Sequence, residues 1–364
     1  MPLRALSATR AELPNGRSVT TFAGCNYLAI HRHPRVLESL SDGLQRYGVS
    51  AGASRETTGN TDAHEALEAE LKQWLGVEDA LLLPDGYIAN IAAAQALAKL
   101  QPLATVHVDA RSHPSVLDAL STAGCSPTSY EHANAAAVDQ TQAIFTDSVF
   151  TGSGELAPVA ALLNRLPTDG YLILDDCHGV GSIGPLAQGT AAHLGISDPR
   201  LIITGTLSKG IGCAGGYVAG PAAVIAAARA SSAFICTTPI PPALALASRT
   251  AIRIAQTDDQ RRAQLTTNAQ ALKHGLRKLG LTTSTTPTPI ATFTFDAATA
   301  MRDTHERLLS QGLYAPLINY PGGPAQSYFR IVVTAEHTQA EIDRLIDCLA
   351  ARVRTALALP LETP

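Results

Sequence analysis

The residue with the clearest chemical potential is Lys209, which follows an apolar run typical of a buried strand. Residues 201–203 (Leu-Ile-Ile) are apolar and β-branched, and residues 204–209 (Thr-Gly-Thr-Leu-Ser-Lys) follow them before the chain becomes rich in glycine. We expect such a lysine to lie in a partly dry, polar pocket. Desolvation lowers the pKa of a lysine, and an amine that is neutral part of the time can form a Schiff base. A surface lysine in a glycine-rich loop is the alternative that this segment alone leaves open.

Acidic residues and a histidine end a second apolar run, about 30 residues before Lys209. Residues 171–174 (Tyr-Leu-Ile-Leu) are followed by Asp175 and Asp176 and, after a cysteine, by His178. Ligands of open parallel sheets bind at the carboxyl ends of the strands, so we expect Asp175 and Lys209 to meet at one edge. An aspartate that keeps a pyridinium nitrogen protonated, with a lysine Schiff base, is the pair that pyridoxal phosphate chemistry requires.

A third segment offers a place for the phosphate group of such a cofactor. Residues 81–83 (Leu-Leu-Leu) predict a strand, and Asp85, Gly86 and Tyr87 predict a turn that leads into a helix. The free N–H groups of a helix N-terminus can hold a phosphate. Together with Asp175, this segment favours a cofactor-binding lysine over a surface one.

In combination, these segments resemble the α-oxoamine synthase family of pyridoxal-phosphate-dependent enzymes. The motifs are Asp-Asp-x-His-Gly-Val-Gly at residues 175–181, Thr-x-x-Lys at 206–209, and Arg-Ile-Val-Val-x-x-x-His-Thr at 330–338. The similarity extends from about Phe22 to the C-terminal helix. It implies a fold-type-I α/β enzyme with a large domain, built on a mostly parallel seven-stranded sheet, and a small C-terminal α+β domain. We predict an N-terminal segment (residues 1–35), a large pyridoxal-phosphate-binding domain (36–245) and a small domain (246–364).

The resemblance also implies a role for each candidate site residue. Lys209 is expected to hold pyridoxal 5'-phosphate and to remove the α-proton of the substrate, and Asp175 to keep the ring nitrogen protonated. His113 is expected to stack on the ring, and His178 to contact its phenolic oxygen. Arg330 is expected to bind the substrate carboxylate. The remaining cofactor-binding candidates are Thr206, Asp85, Gly86, Tyr87 and Thr151, with Thr237 and Thr238 reaching the phosphate of a partner subunit.

The chain departs from the family pattern in the part of the site that handles the amino acid. Cys25 stands where the family usually has an asparagine that helps to hold the amino acid, and a thiol cannot make the hydrogen bonds of an amide. Ser153 stands where a carboxylate is usual, whereas Thr151 keeps the hydroxyl of the usual serine. These departures leave the identity of the amino acid open.

The activity implied is the decarboxylative condensation of a small amino acid with an acyl thioester to give an α-amino ketone. Neither the acyl group nor its carrier, coenzyme A or a carrier protein, follows from the sequence. A transamination or aldol-type cleavage on the same scaffold is the alternative enzyme, and the changes at Cys25 and Ser153 favour it slightly. A non-catalytic, cofactor-binding regulator is a third class of protein. Such regulators usually carry a DNA-binding domain, and we expect this chain to have no room for one.

Composition narrows the range of partners. The net charge of −4 implies no nucleic acid or other polyanion as a partner, and no apolar run is long enough for a membrane span. The six cysteines are scattered without a C-x-x-C pair, which favours a reduced, cytoplasmic protein. The family works as a homodimer with sites at the subunit interface, so we expect a homodimer here.

Two other motifs are weaker. Gly210, Gly212 and Gly215 match a dinucleotide-binding fingerprint, but a predicted strand follows them and no acidic residue lies near position 235. Asp175, Asp176 and His178, or the pair His31 and His33, offer metal ligands without the second cluster that a metal site needs. We therefore expect neither a nicotinamide cofactor nor a bound metal.

The elements that must position these residues alternate between strand and helix. A helix is predicted to begin at Asp62, with Glu65 completing a capping box, and a threonine- and proline-rich loop is predicted over residues 282–289. The other predicted strands are 80–83, 105–109, 171–174, 201–203, 217–219, 291–295 and 329–333, and residues 144–154 are predicted to be a strand that runs into a loop. The other predicted helices are 86–100, 159–166, a long or broken helix over 243–279, 298–311 and 338–356.

Overall fold

The computed structural model describes residues 2–295, 298–320 and 323–358. Its strands are β1 (Arg4–Ala5), β2 (Arg10–Glu12), β3 (Ser18–Thr21), β4 (Asp79–Leu83), β5 (Val106–Asp109), β6 (Thr128–Tyr130), β7 (Ala143–Asp147), β8 (Tyr171–Asp175), β9 (Leu201–Thr206), β10 (Gly216–Gly220), β11 (Ile290–Phe293), β12 (Leu313–Tyr314), β13 (Leu317–Ile318) and β14 (Tyr328–Val332). Its α-helices are α1 (Pro34–Tyr47), α2 (Asp62–Leu75), α3 (Gly86–Leu100), α4 (Pro114–Thr122), α5 (Val159–Leu163), α6 (Thr190–His193), α7 (Ala222–Arg229), α8 (Ser232–Ile235), α9 (Pro242–Thr257), α10 (Asp259–Lys278), α11 (Ala298–Ser310) and α12 (Gln339–Ala358).

The central sheet has seven strands in the order β4-β10-β9-β8-β7-β5-β6. Strand β10 is antiparallel to both of its neighbours, and the run from β9 to β6 is parallel. Leu172 and Leu174 of β8 pack in one hydrophobic core and Ile173 in the other, because successive side chains of a strand point to opposite faces. Helices α2 and α5 contribute to the first core, and α3, α4 and α7 to the second. The predicted fold class is confirmed.

Two smaller sheets are separate from the central one. Strands β11, β14 and β13 form an antiparallel sheet, in which Thr292 pairs with Arg330. Strands β1, β2, β3 and β12 form the other sheet, and β3 is parallel to β12, so an N-terminal strand pairs with a C-terminal one. Phe293, Phe329 and Leu272 belong to the core beneath these elements. The predicted domain boundaries remain a prediction.

Several elements begin or end at residues other than those expected. The capping box of α2 is formed by Thr61 and His64, because the backbone N–H of Thr61 donates to His64 Nδ1 (3.2 Å); the predicted pair of Asp62 and Glu65 is wrong. Glu65 instead accepts from the Asn60 amide. Of the two forms predicted for residues 243–279, one long helix or a broken one, the structure has the broken form: the break lies at Asp258, whose carboxylate caps α10 by accepting from Arg261 N (2.9 Å).

Among the described residues, none of the helices combines the length and the apolar character that crossing a membrane requires.

Candidate active site

Eight of the predicted site residues line one cavity of about 290 Å³ near the carboxyl ends of β8 and β9. Parallel strands place their carboxyl ends at one edge of a sheet, and the loops that follow them form the cavity. The eight residues are Asp85, Gly86, Tyr87, His113, Asp175, His178, Thr206 and Lys209. The structure therefore brings together residues that the sequence separates by more than 120 positions.

Lys209 lies three residues beyond the end of β9, with its Nζ 3.0 Å from His178 Nε2. Burial alone lowers the pKa of this lysine, as expected from its sequence context. The acidic groups around it, Cys177 and then Asp175, outweigh that effect and raise the pKa above its usual value. The expectation of a lowered pKa for Lys209 is wrong, because the sequence did not reveal how many acidic groups surround the amine.

His178 is held between Lys209 and Tyr27. Burial lowers the pKa of His178 well below its usual value, and the positive charge of Lys209 lowers it further, so the imidazole is neutral. A protonated Lys209 donates to Nε2, which leaves the proton of the ring on Nδ1. The Nδ1–H then donates to the Tyr27 hydroxyl oxygen at 2.6 Å. Tyr27 is fully buried and holds the ring in this orientation.

Asp175 is the last residue of β8, and both of its carboxylate oxygens accept hydrogen bonds. Oδ2 accepts from the Asn90 amide at 2.7 Å, and Oδ1 accepts from the backbone N–H of Cys177 at 3.0 Å. Asn90 is oriented in turn by the hydroxyl of Thr204, which donates to its amide oxygen at 2.6 Å. The Asp175 carboxylate is therefore held rigidly at the wall of the cavity.

A second buried carboxyl group, Asp147, lies directly beside Asp175. The two are paired residues at the ends of the neighbouring strands β7 and β8. Burial raises the pKa of Asp147 well above its usual value and the charge of Asp175 raises it further, although the backbone N–H of His113 donates to it. Asp147 thus holds a proton more readily than an ordinary aspartate, which limits the negative charge at this edge.

His113 begins helix α4 and belongs to the same hydrogen-bond network. The backbone N–H of Ser115 donates to His113 Nδ1, so Nε2 carries the proton and donates to the Tyr320 hydroxyl at 2.7 Å. The hydroxyl of Ser115 lies 2.7 Å from His113 Nδ1 and accepts from Asn90 at 2.9 Å. Asn90 therefore connects His113 and Asp175, and burial lowers the pKa of His113.

Asp176, the neighbour of Asp175, serves the loop rather than the cavity. It accepts hydrogen bonds from the Ser148 hydroxyl and from the hydroxyl and backbone N–H of Thr190. Burial raises its pKa to about 6. A Cβ at Gly179 or Gly189 would lie within about 2 Å of its oxygens, so both positions require glycine. Asp176 thus anchors the loop that carries His178.

The start of α3 and several hydroxyl groups also line the cavity. Asp85 caps the helix by accepting from Ile88 N (2.8 Å), and the first N–H groups of a helix have no partner within it. Thr206 and Ser208 line the cavity as well. A Cβ at Gly86 would lie 2.8 Å from Cys177 Sγ and 3.2 Å from Thr206 Cβ, so glycine lets the helix start approach the ends of β8 and β9. Helix N–H groups with hydroxyls suit a phosphate.

These groups fit pyridoxal phosphate. The donor set supplies an amine, a buried carboxylate with fixed orientation and a helix N-terminus, which are the groups that the aldehyde, the ring nitrogen and the phosphate require. Among the described residues, no group of three or more histidine, cysteine, aspartate or glutamate side chains is arranged to hold a metal ion. Strand β10 follows Gly215 directly, so the fingerprint at Gly210 lacks the helix that dinucleotide binding needs.

Arg330, Thr151 and Cys25 form a separate cluster close to the cavity. Arg330 Nη1 donates to Thr151 Oγ1 at 2.8 Å, and Nη2 donates to Cys25 Sγ at 3.4 Å. The charge of Arg330 also contributes to the lowered pKa of His178. The three residues come from β14, from a loop after β7 and from the loop after β3, so the structure joins them although they are far apart in sequence.

Thr237 and Thr238 lie outside the residues that line this cavity. The hydroxyl of Thr237 donates to the carbonyl of Ala233 at 2.7 Å, within the turn that ends α8. Their expected role concerns the phosphate of a partner subunit, and it stays a prediction.

The sequence-based reasoning missed five residues of the network. Tyr27 lies in the segment already singled out for Cys25, and Asp147 lies in a predicted strand that neighbours the strand before Asp175. Both residues were therefore in segments that the sequence analysis had already considered. Asn90, Ser115 and Tyr320 gave no such signal, because their roles depend on contacts between distant segments. The five residues are Tyr27, Asn90, Ser115, Asp147 and Tyr320.

Comparison with known proteins gives one consistent set of relatives. The profile of the family described as aminotransferase class I and II matches residues 20–349. The chain is 36% identical over 360 residues to the 8-amino-7-oxononanoate synthase of Thioalkalivibrio sulfidiphilus, covering 95% of this chain and 91% of the relative. It is 34% identical over 352 residues to the enzyme of the same name from Methylococcus capsulatus, covering 93% and 90%.

Solved structures agree on the fold. A serine palmitoyltransferase from S. paucimobilis superposes with a TM-score of 0.89 at 23% identity, covering 98% of this chain and 94% of that one. An 8-amino-7-oxononanoate synthase from Francisella tularensis superposes with a TM-score of 0.81 at 20% identity, covering 93% and 99%. Both share the architecture described above.

The Tyr27–His178 contact predicts a difference between two buried tyrosines. Tyr27→Phe leaves the buried Nδ1–H of His178 without its acceptor and should lower the free energy of unfolding by about 1–3 kcal/mol. Tyr217→Phe is the matched control, because the Tyr217 hydroxyl is buried and finds no hydrogen-bond partner within the described part of the chain. Its loss should be neutral or stabilising, as measured by urea unfolding. Equal destabilisation by both changes would contradict the assigned hydrogen bond.

Proposed function

The chain belongs to the aminotransferase class I and II family, and from that premise we propose that it is a pyridoxal-phosphate-dependent acyltransferase of the α-oxoamine synthase type. It condenses a small amino acid with an acyl thioester, releases CO2 and yields an α-amino ketone. The activity is like that of an 8-amino-7-oxononanoate synthase, the name carried by relatives of 34–36% identity over nearly the whole chain.

A single observation carries the proposal at the level of the site. The Lys209 amine, the neutral His178 imidazole and the fixed Asp175 carboxylate line one cavity together with the N-terminus of helix α3. When bound there, pyridoxal phosphate supplies an electron sink for the negative charge that develops on the substrate α-carbon. Lys209 would attach the cofactor, Asp175 would pair with its ring nitrogen, and Thr206 with residues 85–87 would hold its phosphate.

The two carboxyl groups at the strand ends have different tasks. Burial and the neighbouring Asp175 raise the pKa of Asp147, so Asp147 holds a proton more readily than an ordinary aspartate and is less suited to pair with a positive ring nitrogen. A carboxylate whose two oxygens are already oriented by Asn90 and the Cys177 N–H loses little on meeting a positive ring nitrogen. Asp175 thereby keeps that nitrogen protonated and strengthens the withdrawal of electrons from the substrate.

Lys209 and the two histidines act on the reacting end. With pyridoxal phosphate bound, Nζ of Lys209 would take the proton from the substrate α-carbon. His178, whose Nε2 already faces Nζ, would contact the phenolic oxygen of the cofactor. His113, held by Ser115 and Tyr320, would place its ring against the face of the cofactor and so limit the entry of water.

The amino-acid end of the site belongs to Arg330. A guanidinium presents two N–H groups in the plane that a carboxylate needs for a bidentate pair. Thr151 and Cys25 each accept from one of its nitrogens, and this fixes the direction of the fork. We propose that the substrate carboxylate binds Arg330 and that Cys25 helps to select the amino acid.

We also propose that the protein is a homodimer. Leu37 and Leu44 of α1 are 49% and 42% exposed, and their spacing of seven places them on one side of the helix. Thr237 and Thr238 are free to serve a partner subunit, since neither lines the cavity of its own chain. A cytoplasmic location fits the six free cysteines. Light scattering should give twice the monomer mass, and a monomeric active enzyme would contradict the dimer.

An aminotransferase or aldol-type reaction is the second candidate, favoured by the replacement of the usual asparagine and carboxylate at Cys25 and Ser153. The two candidates differ in their products, because only the acyl transfer consumes a thioester and releases CO2. The deciding experiment incubates the holoenzyme with glycine, L-alanine or L-serine against a panel of acyl thioesters, with mass spectrometry of the products. Thioester-dependent CO2 release supports the proposal, and amino-group transfer to a 2-oxo acid without it would replace the proposal.

Replacement of Lys209 tests the point of attachment. Lys209→Ala should fold normally, lack the absorbance of the covalently attached cofactor and lose several orders of magnitude in turnover, because Lys209 is the one lysine among the described residues that line the cavity. Borohydride reduction of the wild-type holoenzyme, followed by peptide mapping, should find the cofactor on Lys209. A label on a different lysine would show that the assignment is wrong.

Replacement of Asp175 tests the partner of the ring nitrogen. Asp175→Asn removes the negative charge while keeping the shape, so turnover should fall by several orders of magnitude while the cofactor still attaches. Asp176→Asn is the matched control, because this neighbouring buried carboxylate faces the loop. Asp176→Asn should lower the stability of the fold and leave the turnover of the folded fraction close to that of the wild type. If Asp176→Asn instead lost turnover and Asp175→Asn kept it, Asp176 would be the partner of the ring nitrogen.

Replacement of Arg330 tests the amino-acid end. Arg330→Lys keeps the charge but not the fork, and should raise the KM for the amino acid roughly tenfold or more. Cys25→Asn should change which amino acid is preferred and leave the cofactor absorbance unchanged. An unchanged KM for the amino acid, together with a raised KM for the acyl thioester, would show that Arg330 does not bind the substrate carboxylate.

A further inference from the structure

Lys273 is a buried lysine that the reaction described above does not use. It lies on α10, is only 2% exposed, and belongs to neither the cavity nor the Arg330 cluster. Four oxygens lie within hydrogen-bond distance of its Nζ, which has three N–H donors: Ser284 Oγ (3.1 Å), Thr286 O (2.7 Å), Thr286 Oγ1 (3.1 Å) and Thr288 Oγ1 (3.1 Å). Burial lowers the pKa of Lys273 to about 7, and the charge of Arg277 one turn later lowers it further.

The three hydroxyls that receive Lys273 converge on one backbone carbonyl. The hydroxyls of Thr288 (2.8 Å), Thr286 and Ser284 (3.4 Å) all lie within hydrogen-bond distance of the oxygen of Gly154. Their spacing of two residues places them on the same side of the extended loop that precedes β11. The three hydroxyls can accept from the lysine, and those of Thr286 and Thr288, which lie closest to the carbonyl, can donate to its two lone pairs, so the lysine is the centre of the arrangement.

Gly154 closes the turn that carries Thr151. Its N–H donates to the carbonyl of Phe150 at 2.7 Å, and the N–H of Phe150 donates to the carbonyl of Glu155 at 2.9 Å. Gly154 adopts a φ of +72°, and a Cβ there would lie 2.6 Å from the carbonyl of Ile290, so the turn sits directly against the start of β11. Thr151, inside this turn, accepts from Arg330.

The same loop also supports the strand of Arg330. Residues 284–288 lead into β11, which pairs with β14 so that Thr292 lies opposite Arg330. The N–H of Val333 donates to the carbonyl of Pro289 at 3.2 Å. The loop held by Lys273 therefore touches both the turn that carries Thr151 and the sheet that carries Arg330, and it sets the separation of the two.

We propose that Lys273 is a positioning residue for the amino-acid end of the active site. Through Ser284, Thr286 and Thr288 it holds the Gly154 turn against β11, and thereby keeps Thr151 in place to orient the Arg330 guanidinium. The inference rests on the proposed function in one respect only, the binding of the substrate carboxylate by Arg330. It requires no contact between Lys273 and any substrate.

The primary test replaces Lys273 by methionine, which has a similar length and no donor. Glycine, L-alanine and L-serine are titrated into the holoenzyme, and binding is followed by the change in cofactor absorbance. Lys273→Met should raise the Kd for the amino acid about threefold to tenfold, the size of effect that packed networks transmit. The KM for the acyl thioester and the cofactor absorbance without amino acid should not change. Lys278→Met, an exposed lysine on the same helix, is the control and should have no effect.

A double-mutant cycle separates positioning from plain stabilisation. If Lys273 acts through Thr151, the effect of Lys273→Met on the Kd should largely disappear in a Thr151→Val background, since the contact that it positions is already lost. A merely structural lysine would lower the unfolding midpoint equally in both backgrounds and leave the Kd of the folded fraction unchanged. That outcome would overturn the proposal.

A milder pair of variants keeps the proposal testable if Lys273→Met does not fold. Thr286→Val removes one of the bridging hydroxyls, and Thr285→Val changes the exposed threonine beside it. Only Thr286→Val should raise the Kd for the amino acid, and equal Kd values for the two would overturn the inference. Because the titration needs no acyl transfer, a persisting Kd effect without thioester-dependent turnover would count against the proposed reaction and still support the role of Lys273.

Discussion

Two buried carboxyl groups, Asp147 and Asp175, lie side by side at the ends of neighbouring parallel strands, and much of the site serves to keep them there. Burying a charge without partners is expensive, and burying two like charges in contact is worse. The protein protonates one group more readily and surrounds the other with donors. The Lys209 amine, itself raised in pKa by its acidic surroundings, completes the balance.

The Asn90 side chain makes this balance rigid. Its NH2 group donates to both Asp175 and Ser115, and its oxygen accepts from Thr204, so each polar atom of the amide has a partner. An amide with all of its hydrogen bonds satisfied has one orientation. It therefore also fixes the orientation of Asp175 and of the Ser115–His113 pair. The two sides of the cofactor cavity are therefore coupled by a residue on α3 that does not line it.

The sequence was sufficient to predict what depends on local pattern. Strands such as β8 and β9 follow from apolar runs, and the meeting of Asp175 with Lys209 follows from the rule for parallel strand ends. The pKa of Lys209 did not follow, because it depends on how many acidic groups reach the amine from other segments. The His64 cap of α2 was missed for a similar reason: the ring also binds the carbonyl of Ile240, 176 residues away.

The cluster at Arg330 shows how one substitution can increase the importance of a distant contact. A sulfur atom is a weak acceptor, and Cys25 Sγ lies 3.4 Å from Arg330 Nη2, whereas the Thr151 hydroxyl lies 2.8 Å from Nη1. The direction of the guanidinium therefore depends mainly on Thr151. Thr151 lies in a turn with little regular structure, so its position must be fixed from outside. An asparagine at position 25 would give Arg330 a second strong partner, whereas Cys25 does not. The loop of residues 284–288, which Lys273 holds, therefore has more influence on the direction of the Arg330 guanidinium in this chain than it would have beside such an asparagine.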